Sequence, residues 1–469
     1  MQSFYSEVQV QAPRPFAFEW HEGEHAFERL NPPWDRTELL EKNGNIESGT
    51  VKLRARVGPL WIGIQAKHSK FVRNEQFFDE MLGGPFSHWE HLHRFESSES
   101  GGCFVKDEIE YKIRGGFLGQ WVAGRMVRSR LQQLFAYRRI VTQREIEDHF
   151  QFSDQSPKTI AVTGSTGLVG RAICHFLKNG GHRVIPLQRA RPEDSSDQPC
   201  WDPATGKVYF GAGINSVDCF LHLAGYSIAD KRWNANIKDK IRESRVDATQ
   251  KLARAIVDEK RVTESFVCAS ATGFYGDRHD EELTEESKRG VGFLADTCED
   301  WEAACQPIRS AGIRVVNMRF GMILSAVGGA LSALLTPFKL GAGGRAGSGK
   351  QYWSWISFFD TLRAIHFSIM NQSVSGPVNF VTENPVKQRD FAKILGKVLF
   401  RPSFMPLPAW GARLALGEMA DYLILASSRV IPKKLAAAGF QFVHPQLEDA
   451  LRFELGRIQP TQPQSTSSL

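Results

Sequence analysis

Apolar and polar positions in the first quarter of the chain follow the pattern of half-buried β-strands. Residues alternate in character over several short stretches, and residues that alternate along a strand lie on its opposite faces. Strands are predicted at residues 4–10, 49–57, 60–68, 75–81, 86–95 and 103–113. A short helix is predicted over residues 13–21, and a long amphipathic helix over residues 117–139. This order predicts an α+β domain with an antiparallel sheet and one long, late helix.

From residue 158 onward, largely apolar stretches alternate with segments of helical periodicity. Ile160 to Thr163 has the character of a strand that is buried on both faces. A helix is predicted from Arg171 to Lys178, and a second strand from Arg183 to Leu187 closes a βαβ unit. Further buried strands are predicted within residues 217–225, 265–276 and 313–324. This alternation predicts an α/β Rossmann fold with a parallel, doubly wound sheet.

Local composition marks the boundaries between domains. Residues 153–157 are polar and end in proline, as linkers do. We therefore expect a first domain at residues 1–152, a Rossmann domain at 157–372 and a small C-terminal lobe at 373–457. The last residues, 458–469, are rich in Gln, Ser, Thr and Pro, and we expect them to be disordered.

The overall composition argues against several classes of protein. The net charge of +6 is spread over 58 basic and 52 acidic residues, without the basic block or motif of a nucleic-acid-binding protein. The start of the chain lacks the pattern of a signal peptide, and no apolar stretch is long enough to span a bilayer. The seven cysteines are scattered and include no C-x-x-C pair, which is typical of reduced thiols. We expect a cytoplasmic protein without a nucleic-acid partner.

Three glycines follow the first Rossmann strand at a spacing of three residues. Gly164, Gly167 and Gly170 lie between this strand and the helix predicted after it. A dinucleotide pyrophosphate binds backbone N–H groups at a helix N-terminus, and side chains there would block its approach. The pattern therefore predicts a cofactor site rather than only a tight turn. The predicted cofactor-binding residues of this loop are Gly164, Ser165, Thr166, Gly167, Leu168, Val169 and Gly170.

The residues after the second strand predict the choice of cofactor. NAD sites usually place an acidic residue here to bind the ribose 2′-hydroxyl, whereas an arginine suits the 2′-phosphate of NADP. Neither Asp nor Glu occurs from Arg183 to Pro192, and Arg189 lies at the predicted position. Arg171 is a second candidate. The pattern favours NADP over NAD, and the alternative interpretation is an exposed, charged loop.

The glycine spacing G-x-x-G-x-x-G resembles that of the short-chain dehydrogenase/reductase superfamily, especially its extended, epimerase-like branch. Leu223-Ala224-Gly225, Arg232-Trp233 and Ser244-Arg245 narrow the resemblance to atypical, epimerase-like members. The resemblance implies that Leu223, Ala224 and Gly225 lie beside the adenine ribose and pyrophosphate of the cofactor. A long helix is expected to follow from Ile241 to Val257.

The run from Ser265 to Gly276 is similar to the Ser-Ala-x-Gly-x-Tyr-Gly signature of the same family. The resemblance implies that Ser270 binds a substrate carbonyl or alcohol oxygen and that Tyr275 lies in the active-site loop. Ser270 and Tyr275 are therefore the candidate catalytic residues. The alternative for Ser270 is a strand-end hydroxyl that binds the backbone.

The acid–base pair of active members is missing from this chain. Dehydrogenases of this class use Tyr-x-x-x-Lys on a helix, where the lysine lowers the pKa of the tyrosine. None of the eight tyrosines has a lysine four residues later, and the helix predicted over residues 292–302 carries Leu294 and Cys298 at those places. Asp300 and Glu302 are further candidates for catalysis. Two functions stay open: an oxidoreductase or epimerase acting on a small molecule, and a non-catalytic sensor or carrier.

The N-terminal domain resembles the START-like SRPBCC superfamily, also called polyketide cyclase/dehydrase-like. The matching stretches are Arg29–Trp34, Phe78-Asp79, Gly84–Phe86, Trp89–His93 and Leu131–Arg138. The resemblance implies a helix-grip fold, in which the sheet curls around the long helix and encloses a cavity for an apolar ligand. At the other end of the chain, Ser428–Lys434 and Gly439–Phe442 resemble the small domain of unknown function that closes the epimerase-like family.

Two histidines of the N-terminal domain share one face of a predicted strand. His91 and His93 lie on the same side as Trp89, whereas His88 points the other way. A metal site would require three convergent ligands. We therefore expect packed or cavity-lining histidines and no metal site.

Overall fold

In the computed structural model, which describes residues 1–99, 101–191, 198–211, 216–260 and 263–458, internal contacts separate the chain into two units. The first unit contains Met1–Ser156, with Lys178–Gly181 and Leu455–Leu469. The second unit contains Pro157–Leu177 and His182–Glu454. The predicted linker at residues 153–157 includes the point at which the first unit's long segment ends. The predicted disorder of the tail concerns residues that lie, apart from residue 458, outside the described ranges.

Within the described residues, the first unit consists of one antiparallel sheet and three helices. Its elements are β1 (Gln2–Val10), α1 (Arg14–Glu22), α2 (Ala26–Leu30), β2 (Thr37–Asn43), β3 (Thr50–Val57), β4 (Leu60–Val72), β5 (Gln76–Gly83), β6 (Phe86–Ser97), β7 (Cys103–Ile113) and α3 (Gly116–Phe150). The strand order is β1-β7-β6-β5-β4-β3-β2. All neighbouring strands are antiparallel. The predicted antiparallel sheet and long late helix are therefore present.

The helix α3 packs on β1 and β7. Ile109, Tyr111 and Ile113 alternate along β7 and cluster with Leu131 and Phe135, which lie one helical turn apart on α3. All five side chains are buried. Because burial of one large apolar side chain contributes roughly 1.5–3 kcal/mol, this layer is a major part of the unit's core.

Three elements of the first unit differ from the predicted ones for local reasons. The sequence predicts a polar helix over residues 142–150 as part of a connector, but α3 continues without a break to Phe150, because neither glycine nor proline interrupts this stretch. β2 is not predicted, since most of its residues are exposed and lack a clear alternation. α2 is not predicted either, because its five residues are too few to establish a helical period.

The second unit alternates strands and helices. Its strands are β8 (Thr159–Thr163), β9 (Arg183–Arg189), β10 (Cys200–Trp201), β11 (Val208–Tyr209), β12 (Cys219–His222), β13 (Ser265–Ala271), β14 (Glu282–Leu283), β15 (Arg314–Phe320), β16 (Met322–Leu324), β17 (Tyr352–Trp353), β18 (Trp355–Ser357), β19 (Gly376–Phe380), β20 (Val386–Lys387) and β21 (Arg429–Val430). Its helices are α4 (Leu168–Asn179), α5 (Ala235–Glu243), α6 (Val246–Asp258), α7 (Phe293–Ala303), α8 (Gln306–Ser310), α9 (Gly329–Lys339), α10 (Phe358–Met370), α11 (Gln388–Leu399), α12 (Ala409–Leu416), α13 (Lys433–Ala437) and α14 (Leu447–Glu454).

The main sheet of the second unit has the order β11-β10-β9-β8-β12-β13-β15-β19. Its neighbouring strands are parallel, except that β10 and β11 are antiparallel. The chain begins at β8, adds β9 on one side and then crosses to β12 on the other. This reversal opens a crevice at the carboxyl ends of β8 and β12, where sheets of this kind bind ligands. The predicted Rossmann-like α/β fold is confirmed.

Two features of the second unit differ from the predicted ones. β19, expected at the start of a separate C-terminal lobe, pairs with β15, so the main sheet extends beyond residue 372. The helix expected over residues 241–257 is divided into α5 and α6. At the break, Ser244 Oγ donates a hydrogen bond to the Ile241 carbonyl, and Arg245 Nη1 donates to the carbonyls of Ile241 and Tyr226. The contact between Arg245 and Tyr226 joins residues 19 positions apart, so periodicity alone does not predict the break.

The structure also bears on two features inferred from composition. No helix in the described ranges is both long and apolar enough to cross a bilayer. All seven cysteines are buried thiols.

A buried carboxylate anchors the C-terminal segment to α10. Ser357 caps α10 by accepting the Asp360 backbone N–H, and its hydroxyl donates to Asp360 Oδ2. The Asp360 carboxylate also accepts the backbone N–H groups of Val443 and His444 and pairs with Arg363 at 2.9 Å. Burial alone would raise the pKa of Asp360. The positive charges and N–H groups around it nevertheless hold that pKa below its ordinary value.

Asp360→Asn should therefore destabilise the second unit by about 3 kcal/mol, because it leaves the buried Arg363 without its counter-ion. The stabilisation by Asp360 should be complete above the ordinary aspartate pKa of about 3.9 and should be lost as the pH falls through the lower folded-state pKa. Thermal unfolding of both proteins across this range measures the effect. Asp421→Asn, in an exposed pair with Arg413, is the control and should change stability little. Equal losses in the two variants would contradict the anchoring role.

Candidate functional site

The three glycines after β8 have different surroundings, and a side chain would have a different effect at each of them. Gly164 has a φ of +71°, and a Cβ atom there would lie 2.8 Å from the Ala224 nitrogen and the Leu223 carbonyl carbon. At Gly170, a Cβ atom would lie 2.0 Å from the Gly164 oxygen. Gly167 is exposed, and its Cβ would meet only the Gly164 oxygen, at 3.3 Å, within the described residues. Gly164 and Gly170 therefore shape the turn, and Gly167 leaves its outer surface open.

The turn leads directly into α4, whose first N–H groups lack partners within the helix. Thr166 is exposed, and Arg171 donates from Nη2 to its carbonyl at 3.3 Å. The other predicted residues of the loop, Ser165, Leu168 and Val169, are partly buried. The exposed turn and the positive end of the helix together can hold an anion.

Arg189 is the last residue of β9, and its side chain is exposed. Within the described ranges, no carboxylate forms an ion pair with it. β9 is the strand next to β8, so Arg189 belongs to the same end of the sheet as the glycine turn. Arg189, which the sequence predicts to contact a 2′-phosphate, is thus an exposed cation. It has no acidic partner among the described residues.

A second cation, Arg245, lies beside the loop after β12. A Cβ atom on Gly225 would lie 3.5 Å from the Arg245 guanidinium carbon. The guanidinium donates to the Tyr226 carbonyl at 2.9 Å and lies 5.2 Å from the Trp301 ring centre. Burial lowers the pKa of Arg245, and no described carboxylate pairs with it. Arg245 is not among the predicted cofactor residues, although Ser244-Arg245 is part of the family resemblance.

A buried chain of hydrogen bonds lies beneath the glycine turn. His222 contacts Thr163 Oγ1 through Nδ1 at 2.7 Å and Thr249 Oγ1 through Nε2 at 3.0 Å. Trp301 Nε1 also donates to Thr249, at 3.0 Å. Burial lowers the pKa of His222 to about 4, so this side chain is neutral near pH 7. The chain connects the ends of β8 and β12 to α6 and α7.

The hydroxyl of Ser270 belongs to an internal ion-pair network. Ser270 Oγ donates to Glu302 Oε1 at 2.8 Å, and the side chain is almost completely buried. Arg319 binds both oxygens of the same carboxylate, at 2.7 Å from Nε and 2.8 Å from Nη2. The Ser270 proton is therefore already used within the protein. Glu302, a candidate catalytic acid from sequence, instead holds Ser270 and Arg319 together.

Tyr275 extends this network into the interior. Its hydroxyl donates to Asn379 Oδ1 at 2.7 Å and accepts a hydrogen bond from Arg319 Nη1 at 2.9 Å. The side chain is completely buried, and burial raises the pKa of Tyr275 to about 12. The Arg319 guanidinium lies 3.5 Å from the centre of the Phe274 ring. These contacts position the loop after β13. The catalytic roles of Ser270 and Tyr275 stay predictions without direct support from the geometry.

The helix face expected to carry an acid–base pair does face the loop after β13. A Cβ atom on Gly273 would lie 3.3 Å from Leu294 Cβ and 3.8 Å from Cys298 Sγ. Burial raises the pKa of Cys298 to about 12, so this thiol is protonated near pH 7. Asp300 instead pairs with Arg242 in an exposed ion pair at 2.7 Å. Neither Cys298 nor Asp300 therefore replaces the missing acid–base pair.

An apolar cluster lies next to this helix face. Its buried members are Trp233, Ile237, Ile241 and Met419. The partly buried residues packed against them are Tyr226, Ile228, Phe293, Leu294, Leu416, Tyr422 and Leu423. Because Leu294 belongs to this cluster, apolar and aromatic side chains adjoin the helix face that lacks the acid–base pair.

Two family models and several known proteins match parts of this chain, including the segment that carries this site. Residues 160–380 match the NAD dependent epimerase/dehydratase family, and residues 407–454 match a domain of unknown function, DUF1731. An epimerase family protein of Mycobacterium leprae, ML0860, is 37% identical over 298 residues, which are 64% of this chain and 96% of the relative. The epimerase family protein YfhF of Bacillus subtilis is 36% identical over 294 residues, 62% of this chain and 96% of the relative.

The solved structures that are similar to this chain include one bacterial and one human protein. The nucleoside-diphosphate sugar epimerase from Corynebacterium glutamicum has a TM-score of 0.78 and 32% identity, over 97% of this chain and 91% of that chain. The human epimerase family protein SDR39U1 (isoform 2), in a structure with NADPH, has a TM-score of 0.58 and 28% identity, over 64% of this chain and 100% of that chain.

The different environments of Gly167 and Gly170 predict different outcomes of substitution. Gly167→Val should lower the affinity for NADPH at least about tenfold, a loss of roughly 1.4 kcal/mol, with little change in the thermal midpoint. Gly170→Ala should lower the midpoint, because its Cβ would collide with the Gly164 oxygen. Fluorescence titration and thermal unfolding measure the two effects. Normal NADPH binding by Gly167→Val would place the phosphate site elsewhere.

Proposed function

Because this chain belongs to the NAD dependent epimerase/dehydratase family, we propose that its second unit binds NADP(H) at the glycine turn after β8. The open surface of Gly167 at the start of α4 is the observation that carries this proposal. The similarity to the human protein determined with NADPH supports it. The pyrophosphate would contact the N–H groups of the turn, with Arg245 supplying a nearby positive charge.

We propose NADP rather than NAD as the preferred cofactor. Arg189 is exposed at the end of β9, and the sequence from Arg183 to Arg191 contains no carboxylate that could bind a ribose 2′-hydroxyl. An arginine can donate two parallel hydrogen bonds to a phosphate group. Arg171, at the first turns of α4, is the second cation for the same group.

The proposed activity is that of an epimerase-like oxidoreductase acting on a small molecule. A bound nicotinamide would supply hydride transfer to or from a substrate carbon. A hydroxyl group must then orient the substrate oxygen. Thr272 lies in the turn directly after β13 and is partly buried, and its hydroxyl has no hydrogen bond to the described residues. We therefore propose Thr272 as a candidate donor beside Ser270, whose proton is bound to Glu302.

A second candidate function is a non-catalytic NADP-binding sensor or carrier. Two observations favour it. The hydroxyls of Ser270 and Tyr275 both have partners within the protein. Leu294 and Cys298 occupy the positions of the acid–base pair. A protein of this kind would bind NADP(H) and an apolar molecule without turnover.

For the first unit we propose a START-like helix-grip domain that binds an apolar ligand. The element order, with two short helices after β1 and a long helix after β7, supports this proposal. The packing of α3 on β1 and β7 also supports it. Native mass spectrometry of the full chain, followed by organic extraction, tests for a co-purified apolar molecule. An extract without any such molecule, and no uptake of apolar dyes, would contradict the proposal.

Arg189→Ala should reduce the preference for NADPH over NADH, which we expect to be about tenfold or more in the wild-type chain. The affinity for NADH should change little, because NADH lacks the 2′-phosphate. Calorimetric titration with each nucleotide provides the comparison. Arg183→Ala, at the opposite end of β9 and also exposed, is the matched control. Equal affinity of the wild-type chain for both nucleotides would refute the assignment.

Label transfer separates the enzyme from the sensor. The full chain should move deuterium from NADPH labelled at C4 into a compound of a small-molecule extract, detectable by mass spectrometry. Thr272→Val should reduce this transfer about 100-fold, within the range that a positioned acid–base or hydrogen-bonding group contributes, and should leave NADPH affinity unchanged. A larger loss in Ser270→Ala than in Thr272→Val would restore the role predicted from sequence. No transfer by a chain saturated with NADPH would favour the sensor.

A further inference from the structure

Three side chains in the first unit converge from two neighbouring strands. Asp79 lies on β5 directly opposite His91 on β6, and His93 follows on the same face of β6. Asp79 Oδ2 lies 3.3 Å from His93 Nε2 and 4.0 Å from His91 Nδ1. One ligand atom from each of the three residues lies within 4.8 Å of the other two. The third convergent group, which the sequence of β6 does not supply, thus comes from β5.

These separations fit the coordination sphere of one small cation. Zinc binds imidazole nitrogens and carboxylate oxygens at roughly 2.0–2.2 Å, which places neighbouring ligand atoms roughly 3–3.5 Å apart. The Asp79–His93 distance lies in that range, and the Asp79–His91 distance needs only a small side-chain adjustment. Two imidazoles with one carboxylate suit first-row transition ions better than Mg²⁺ or Ca²⁺, which prefer oxygen ligands.

Each of the three groups is also held from behind by an outer hydrogen bond. Asp107 Oδ1, on β7, lies 2.9 Å from His91 Nε2 and 3.0 Å from His93 Nδ1. With those two nitrogens donating to Asp107, the lone pairs of His91 Nδ1 and His93 Nε2 face Asp79 Oδ2. The second oxygen of Asp79 lies 2.6 Å from His68 Nδ1. Metal-binding histidines typically donate their other N–H to a carboxylate in this way.

The surroundings of the cluster protect it without closing it. The His91 and His93 side chains are only 6% and 8% exposed, whereas Asp79 is 28% exposed. Phe77 stacks on the His93 ring at 4.2 Å, and Phe135 lies edge-on to His91 at 5.7 Å. An ion could therefore enter on the side of Asp79 and bind between aromatic rings in a buried site, where charge interactions are strong. The site is not wholly apolar, since the partly buried Arg138 interacts electrostatically with Asp107 and Asp79.

We propose that Asp79, His91 and His93 bind one divalent first-row transition metal ion, such as Zn²⁺, with Asp107 and His68 as the outer hydrogen-bonding groups. Three protein ligands leave a coordination position open for water or a small ligand. The alternative occupant of the same position is a proton on His93 Nε2, hydrogen-bonded to Asp79. The proposal concerns the first unit alone and does not depend on the cofactor site of the second.

Metal analysis of the full chain tests the proposal. Bound metal is removed with a chelator, and the protein is loaded with Zn²⁺ and desalted. Inductively coupled plasma mass spectrometry then gives the zinc content, and calorimetry gives the affinity. We expect one zinc ion per chain. When Co²⁺ replaces Zn²⁺, the protein should show visible absorption bands, whose positions report coordination by histidine nitrogens. His93→Gln and His91→Gln should each weaken zinc binding about 100-fold. His88→Gln, on the opposite face of the same strand, should not change it.

A further variant tests the outer hydrogen-bonding group Asp107. Asp107→Asn should weaken zinc binding roughly 10–100-fold, with circular dichroism showing that the sheet is retained. A stripped wild-type chain that takes up no stoichiometric zinc would overturn the proposal and leave the proton as the occupant. Zinc binding that is the same in the wild type, His91→Gln and His93→Gln would overturn it as well, since the ion would then be bound elsewhere.

Discussion

The close approach of the Gly164 backbone to Leu223 and Ala224 is the constraint on which the second unit's site depends. β8 and β12 lie side by side where the chain reverses its direction across the sheet. A side chain at Gly164 would collide with the loop after β12, and the left-handed φ of this residue is one that other residues rarely adopt. The contact opens the start of α4 to a ligand. The buried Thr163–His222–Thr249 chain fixes it from below.

The loop after β13 is held as firmly as the glycine turn, but by charge. Arg319 binds both oxygens of Glu302 and also the Tyr275 hydroxyl, and Ser270 completes the network. Related enzymes use groups near this position for proton transfer, as the family resemblance implies. In this chain the hydroxyls of Ser270 and Tyr275 already have partners within the protein. If the proposed reaction takes place, other groups must bind the substrate oxygen.

Patterns that are local in sequence could be predicted, and contacts between distant residues could not. The βαβ unit, the glycine turn and most strands of the first unit follow from periodicity over a few residues. By contrast, Tyr275 binds Asn379, 104 residues later, and no local sequence pattern predicts this contact. The convergence of Asp79 with His91 and His93 depends on the register of β5 against β6, which the sequence does not state. The split between α5 and α6 likewise depends on a tertiary contact of Arg245.

Native mass spectrometry of the full chain tests whether the glycine turn binds the cofactor. The protein is isolated without added nucleotide and then mixed with equal amounts of NADP⁺ and NAD⁺. We expect a single added mass of one NADP per chain, absent from the Gly167→Val protein. A chain that carries NAD in preference, or that binds neither nucleotide, would contradict it.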